Sequence, residues 1–270
     1  MAKLCLIVFC LFCVLNLYSQ EAITEANYLK QDSILWADFT LRQQELEECW
    51  NSVPDKRDSI KNIFDGIFNE ASQKNIELAI KYASTPSGLQ RLFMTRLRIP
   101  KDTLNGILDS LGPDMRESLY GRCIMEHIRT RQIEEGDSLW RFPCVQQDGE
   151  DFDWSVTDGK RLLVLYGGLG CMGKNGRDEL ERLYNRTLRD DLLILVYWPC
   201  SSLAALQEIK AEYPYDYIFV SDFMQDASPM KIRYGVQATP TCFFTDRRHI
   251  VKVKCEGLDM KRIDKCMETE

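Results

Sequence analysis

Histidine is scarce in these 270 residues, with His127 and His249 alone. Neither stands at a spacing that pairs it with cysteines as metal ligands, which argues against zinc, and no metal site is assigned. No serine triad is present. The glycine-rich stretch GGLGCMGKNG (167–176) lacks the Gly-Lys-Ser/Thr ending of a phosphate loop, which removes nucleotide binding of that kind. No cofactor is called for. Excess positive charge is missing as well. A net charge of −7 argues against a nucleic-acid backbone as partner. Long apolar runs are confined to one place, LCLIVFCLFCVLNLY behind Met1-Ala2-Lys3, and that run is short for a comfortable membrane span. Polar, acidic sequence follows from Ser19. The pattern predicts a signal peptide over 1–19, cleaved after Ser19, and export to the periplasm or cell envelope. Cys10 and Cys13 each follow Phe, which argues against lipidation. A membrane is a partner only if the segment is retained.

Cysteine, by contrast, is present in quantity. Beyond residue 19 stand Cys49, Cys123, Cys144, Cys171, Cys200, Cys242, Cys255 and Cys266, an even set in a chain predicted to be exported. Their scattered spacing does not resemble a compact disulfide scaffold, and connectivity stays open. One of them has a special setting. The apolar run Leu162 to Tyr166 reads as a buried parallel strand, breaks at Gly167-Gly168, and delivers Cys171 where a helix begins. Asp178, Glu179 and Glu181 announce that helix, with Leu180, Leu183, Tyr184 and Leu188 at helical spacing. A sulfur at a helix N-terminus faces unpaired N–H groups and the positive end of the macrodipole, which favour thiolate over thiol. Lys174, one turn on, adds a mobile positive charge. Thiol redox chemistry at Cys171 is the expectation; a small buried hydrophobe is the alternative.

Around this stretch the chain changes texture once. From Ile23 to about Arg131 the pattern is helical: Ile34 to Trp50 ending at Pro54, Ile60 to Tyr82, Leu89 to Leu97, Thr103 to Leu111, and Asp114 to Ile128. Cys49 and Cys123 fall on apolar faces there, which predicts core packing for both. GDSLW (136–140) is the joint. Beyond it, Phe142 to Gln147 reads as a strand, Asp148-Gly149 as a turn and Glu150 to Trp154 as a short returning strand. Arg161 to Tyr166, Leu192 to Trp198, Tyr217 to Ser221, Thr241 to Thr245 and Ile250 to Cys255 are further strands. Helices are predicted at Leu203 to Tyr213, Pro229 to Tyr234 and Leu258 to Met267. The domains are therefore an α-helical one over 20–135 and a mixed-sheet α/β one over 136–270.

Two features join Cys171. Thr239-Pro240 stands directly before a strand, where a missing N–H is tolerated. Trp198-Pro199-Cys200 follows a strand that a right-handed crossover makes parallel to Leu162–Tyr166, so Cys171 and Cys200 emerge on one rim. Among the cysteines, Cys200 is the expected resolving partner of Cys171, provided its loop moves. The alternative is that Pro199-Cys200 merely ends a strand.

The stretch FPCVQQDGEDFDWSVTDGKRLLVLYGGLGC (142–171) resembles the lead-in to the first active-site cysteine of bacterial thiol–disulfide oxidoreductases of the TlpA/ResA type. YGVQATPTCFFTDRRHIV (234–251) is similar to that family's segment through its cis-proline, and the helical sequence 85–121 looks like the N-terminal region of exported relatives. The resemblance implies an α/β thioredoxin-like fold, a mixed sheet flanked by helices, preceded by an all-α N-terminal domain. It implies Cys171 as nucleophile, Pro240 as cis-proline, and Thr239 as the residue whose backbone pairs with a substrate strand. Gly170, Met172 and Lys174 would line the substrate side. The family's second cysteine is replaced by Lys174 and its tryptophan by Gly170, so no vicinal disulfide forms within CMGK. CMGKNGRDELERLY followed by ILVYWPC also looks like the glutathione-peroxidase branch, whose glutamine falls near Ser202. Three functions follow: a single-cysteine thiol–disulfide oxidoreductase acting on protein or small-molecule thiols and disulfides, a thiol peroxidase, or a non-catalytic envelope binding module.

Overall fold

The computed structural model describes residues 22–268, so the predicted signal peptide lies outside the described residues. Among these, no helix is long and apolar enough to cross a membrane. The chain divides into two compact units, one ending at Gly121 and one beginning at Arg122.

The first unit is helical: α1 (Glu25–Ser52), α2 (Arg57–Lys81), α3 (Pro86–Thr95), α4 (Lys101–Ser110) and α5 (Pro113–Arg116). Helix α6 (Leu119–Arg129) begins in it and runs across the boundary. Capping explains several starts. The Thr24 hydroxyl accepts from the Asn27 amide, and Thr85, followed by a first-turn proline, accepts from Gly88. The helix expected from Asp114 to Ile128 is interrupted. Ser118 donates to the Met115 carbonyl at 2.6 Å and accepts from the Gly121 amide at 3.3 Å, closing one helix and capping the next. Cys49 does not pack as expected: it is exposed, because α1 keeps little apart from Tyr28 buried along its length. Cys123 is buried.

The second unit is built on a six-stranded sheet of order β1-β4-β3-β2-β5-β6. Its strands are β1 (Val145–Gln146), β2 (Arg161–Tyr166), β3 (Leu192–Tyr197), β4 (Ile218–Ser221), β5 (Thr241–Thr245) and β6 (Val251–Glu256). β2 runs parallel to β3 and β3 to β4, whereas β1, β5 and β6 pair antiparallel. Helices α7 (Gly173–Arg186), α8 (Leu203–Ala211), α9 (Pro229–Arg233) and α10 (Met260–Glu268) complete the unit. This is a thioredoxin-like mixed sheet flanked by helices.

The unbroken apolar runs of β2 and β3 are explained by burial on both faces. Leu162, Val164 and Tyr166 join one core with Tyr197, Tyr234 and Met230. Leu163 and Leu165 join the other with Leu180, Leu183 and Ile263. Each fully buried leucine contributes about 2 kcal/mol by leaving water. Leu188, expected on α7, lies past its end and is 77% exposed.

The returning strand expected over Glu150 to Trp154 does not form. One bridge, Val145 to Asp151, is followed by a 3-10 turn at Trp154–Thr157. Ring packing ends the extension. Trp154 meets Phe142 and Phe152 edge-on at 5.3 and 5.0 Å and donates to the Phe142 carbonyl at 2.8 Å. The joint at 136–140 is not a free linker either. The Ile133, Gly136 and Leu139 amides donate to the carbonyls of Arg233, Val251 and His249 at 2.8–2.9 Å, so this segment belongs to the second unit.

At the foot of β2 a half-buried carboxylate holds two guanidinium groups. Asp191 accepts from buried Arg161 at 2.6 Å and from Arg247 at 2.5 Å. Asp191→Ala leaves the Arg161 charge facing the sheet without this carboxylate. An expected loss of about 2 kcal/mol should be visible as a lower urea midpoint at unchanged slope.

Candidate functional site

The rim is made by three loops at the ends of neighbouring strands, two leaving β2 and β3 and one entering β5. β2 and β3 end side by side, with Tyr166 opposite Tyr197 and their rings stacked at 5.4 Å. The chain after β2 turns through Gly167 and Gly168. The chain after β3 is Trp198-Pro199-Cys200, and the third loop leads into β5 through Thr239-Pro240. That peptide bond is cis, as the resemblance implies. A Cβ placed on Gly167 would lie 3.6 Å from Pro199 and 3.7 Å from Thr239, so the three loops converge there. Gly168 is tighter still. Its φ is +71°, and a Cβ would fall 2.3 Å from the Pro240 nitrogen.

Cys171 stands in the 3-10 turn Gly170–Met172 just ahead of α7, exposed to solvent, with its amide donating to the Gly168 carbonyl at 2.9 Å. The Thr239 hydroxyl points at its sulfur across 3.9 Å. The structure therefore brings together Cys171, Thr239 and Pro240. Gly170 is exposed beside the sulfur, and Met172 is half-buried against the apolar layer under α7.

Two of the expected residues are differently engaged. Lys174 does not turn toward the sulfur; it pairs with Asp178 at 2.8 Å along the helix. Cys200 leaves β3 on the same rim but is 8% exposed in the apolar layer, and its thiol donates to the Ser202 carbonyl at 3.4 Å. Ser202 itself is occupied in capping α8, accepting from Ala205 at 3.3 Å.

Sequence reasoning missed Arg177 and Tyr213. Arg177 reaches back from α7 to donate to the Gly170 carbonyl at 3.3 Å. Burial, followed by the Glu212 charge, pushes the Tyr213 hydroxyl up; Arg177 pulls it down and a charge on Cys171 pushes it up again. That phenol thus lies within electrostatic reach of the sulfur, and the guanidinium is held on the carbonyl of the residue before it. Arg177 was legible as the residue one turn beyond Lys174. Nothing in the sequence ties Tyr213 to Cys171. Cys144, by contrast, is buried in the opposite core, and burial pushes its thiol up to about 12, unsuited to a nucleophile at neutral pH.

In sequence, no family model and no curated protein matches this chain. Solved structures match it over the second unit's share of the length. A thiol-disulfide oxidoreductase from Bacteroides fragilis is 14% identical, with 50% of this chain and 98% of that one covered at a TM-score of 0.41. A thiol-disulfide isomerase from Corynebacterium glutamicum is 12% identical over 51% and 97%, at 0.43. A thiol peroxidase from Chromobacterium violaceum is 16% identical over 52% and 89%, at 0.41.

Proposed function

We propose that this chain is an exported thiol–disulfide exchange protein acting through a single nucleophile, Cys171. The observation that carries the reading is an exposed sulfur held 3.9 Å from the Thr239 hydroxyl, at the mouth of a cis Thr239-Pro240 loop. The thiolate of Cys171 attacks one sulfur of a substrate disulfide, and the other sulfur leaves as a thiolate that takes up a proton. The product is a mixed disulfide on Cys171. A second thiol then attacks that bond, releases Cys171, and carries the substrate sulfur away in a new disulfide. Lys174 stands where a vicinal thiol would resolve the intermediate, so resolution falls to an external thiol or, after movement of its loop, to Cys200. Thr239 offers its backbone to an extended substrate segment, and Gly170 leaves room for that segment beside the sulfur.

The test is a disulfide-bonded peptide incubated with excess small thiol, with and without the protein. The chain is expected to accelerate exchange well beyond the small thiol alone. An unchanged rate would overturn the reading.

A further inference from the structure

Four cysteines, Cys200, Cys242, Cys255 and Cys266, lie in or against the apolar layer under α7 and α10, and two of them face each other. Cys242 in β5 is directly opposite Cys255 in β6. The class of that pairing follows from the ladder. The Gly257 amide donates to the Pro240 carbonyl at 2.8 Å, and these two residues are also opposite each other. Antiparallel pairs alternate with a period of two, so Cys242 and Cys255 form a hydrogen-bonded pair, with Cα atoms about 5.5 Å apart. A disulfide spans Cα separations of roughly 4.4–6.8 Å. Directly opposed residues send their side chains to the same face, and both join the same apolar layer.

The two thiols are unequal. Cys242 is fully buried, whereas Cys255 is half-buried near the end of the edge strand. Hydrogen bonding from the neighbouring Cys242 thiol to the ionised sulfur holds Cys255 down to about 7 despite its burial; as a thiol, Cys255 donates to the Gly257 carbonyl at 3.6 Å. The Asp259 amide and the Arg262 guanidinium, from the turn into α10, act in the same direction, and the Asp259 carboxylate opposes them. Cys242 is pushed well up by the same contact and by burial. One sulfur is thus suited to attack, and its neighbour is placed to resolve.

We propose that Cys242 and Cys255 form a second exchange site in the closing hairpin, a cross-strand dithiol that a small disulfide such as cystine or oxidised glutathione closes into an internal disulfide. The Cys255 thiolate attacks the small disulfide and forms a mixed disulfide, releasing one small thiol that carries off a proton. The Cys242 sulfur then attacks the Cys255 sulfur of that bond, loses its own proton and releases the second small thiol. The hairpin is oxidised by two electrons and the small disulfide is reduced to two thiols. This site does not depend on the chemistry of Cys171.

The test uses the full mature chain carrying Cys171→Ser, so that it cannot be confused with the reading above. The chain is treated with oxidised glutathione at pH 7–8, alkylated, and mapped without reduction. A peptide pair joined through Cys242 and Cys255, with no glutathione retained, is expected. Adding Cys242→Ala should leave glutathione trapped on Cys255. With Cys242 intact and no glutathione added, alkylation of Cys255 should rise to half its plateau near pH 7. Cys242→Ser serves equally if the alanine variant fails to fold. Retention of glutathione on Cys255 when Cys242 is intact, pairing of Cys255 with Cys266, or both thiols remaining free would each overturn the proposal.

Discussion

Gly168→Ala is expected to cost the second unit about 3 kcal/mol. Two independent effects add. At φ +71° an L-residue with a Cβ pays about 1 kcal/mol for the left-handed region. The new Cβ would also fall 2.3 Å from the Pro240 nitrogen, 2.7 Å from the Thr239 carbonyl carbon and 2.8 Å from the Pro240 Cα. All three are backbone atoms and cannot swing aside, so β2 and the loop before β5 must separate, at an overpacking cost of about 1–3 kcal/mol. Gly170→Ala is the control, since a Cβ there meets nothing within 4 Å. It should change stability by less than about 0.5 kcal/mol. Urea midpoints compared at constant slope measure both; equal midpoints would show that the close approach of Gly168 to the proline loop is wrong.

Cys171→Ser is expected to lower peptide–disulfide exchange on the order of 1000-fold, to the level of the small thiol alone. A serine hydroxyl does not ionise near neutral pH and forms no disulfide, so both steps are lost together. The side chain is exposed, so folding should be unaffected. Arg177→Gln should act more gently, about five-fold. Its guanidinium is held on the carbonyl of Gly170, the residue before Cys171, but is itself exposed and screened. Cys200→Ser separates the two routes of resolution. Unchanged turnover with excess small thiol assigns resolution to the external thiol, and accumulation of the mixed disulfide assigns it to Cys200. A Cys171→Ser protein that keeps its rate would remove the mechanism.

The parts of this architecture written in local pattern were legible in the sequence. The unbroken apolar runs of Leu162–Tyr166 and Leu192–Tyr197 gave parallel strands buried on both faces, and the strand–Gly-Gly–Cys–helix order gave the setting of Cys171. Thr239-Pro240 could be placed before its strand from proline chemistry alone, but its cis state came from the resemblance. What failed depended on tertiary partners. Glu150 to Trp154 alternates like a strand, yet the rings of Phe152 and Trp154 bind more profitably around Phe142 than in a ladder. Cys49 shares spacing with apolar residues on α1, but that helix is mostly solvated. Lys174 follows Cys171 by three residues, yet Asp178 one turn on captures its charge. The pairing of Cys242 with Cys255 needs the register of β5 on β6. An irregularity at Phe244/Thr245 shifts that register by a residue nearer the turn, so counting out from the turn misplaces the pair.

The central claim, that Cys171 is the sulfur which meets a substrate disulfide, is tested most directly by trapping. The chain is mixed with a slight excess of a disulfide-bonded peptide, quenched with acid within seconds, and mapped by mass spectrometry without reduction. Cys49 is also exposed and serves as the internal control for accessibility without a built site. The account predicts the peptide retained on Cys171, with Cys49 largely unmodified at the same time point. Peptide distributed over Cys49 and Cys171 in equal measure, or absent from Cys171, would contradict it.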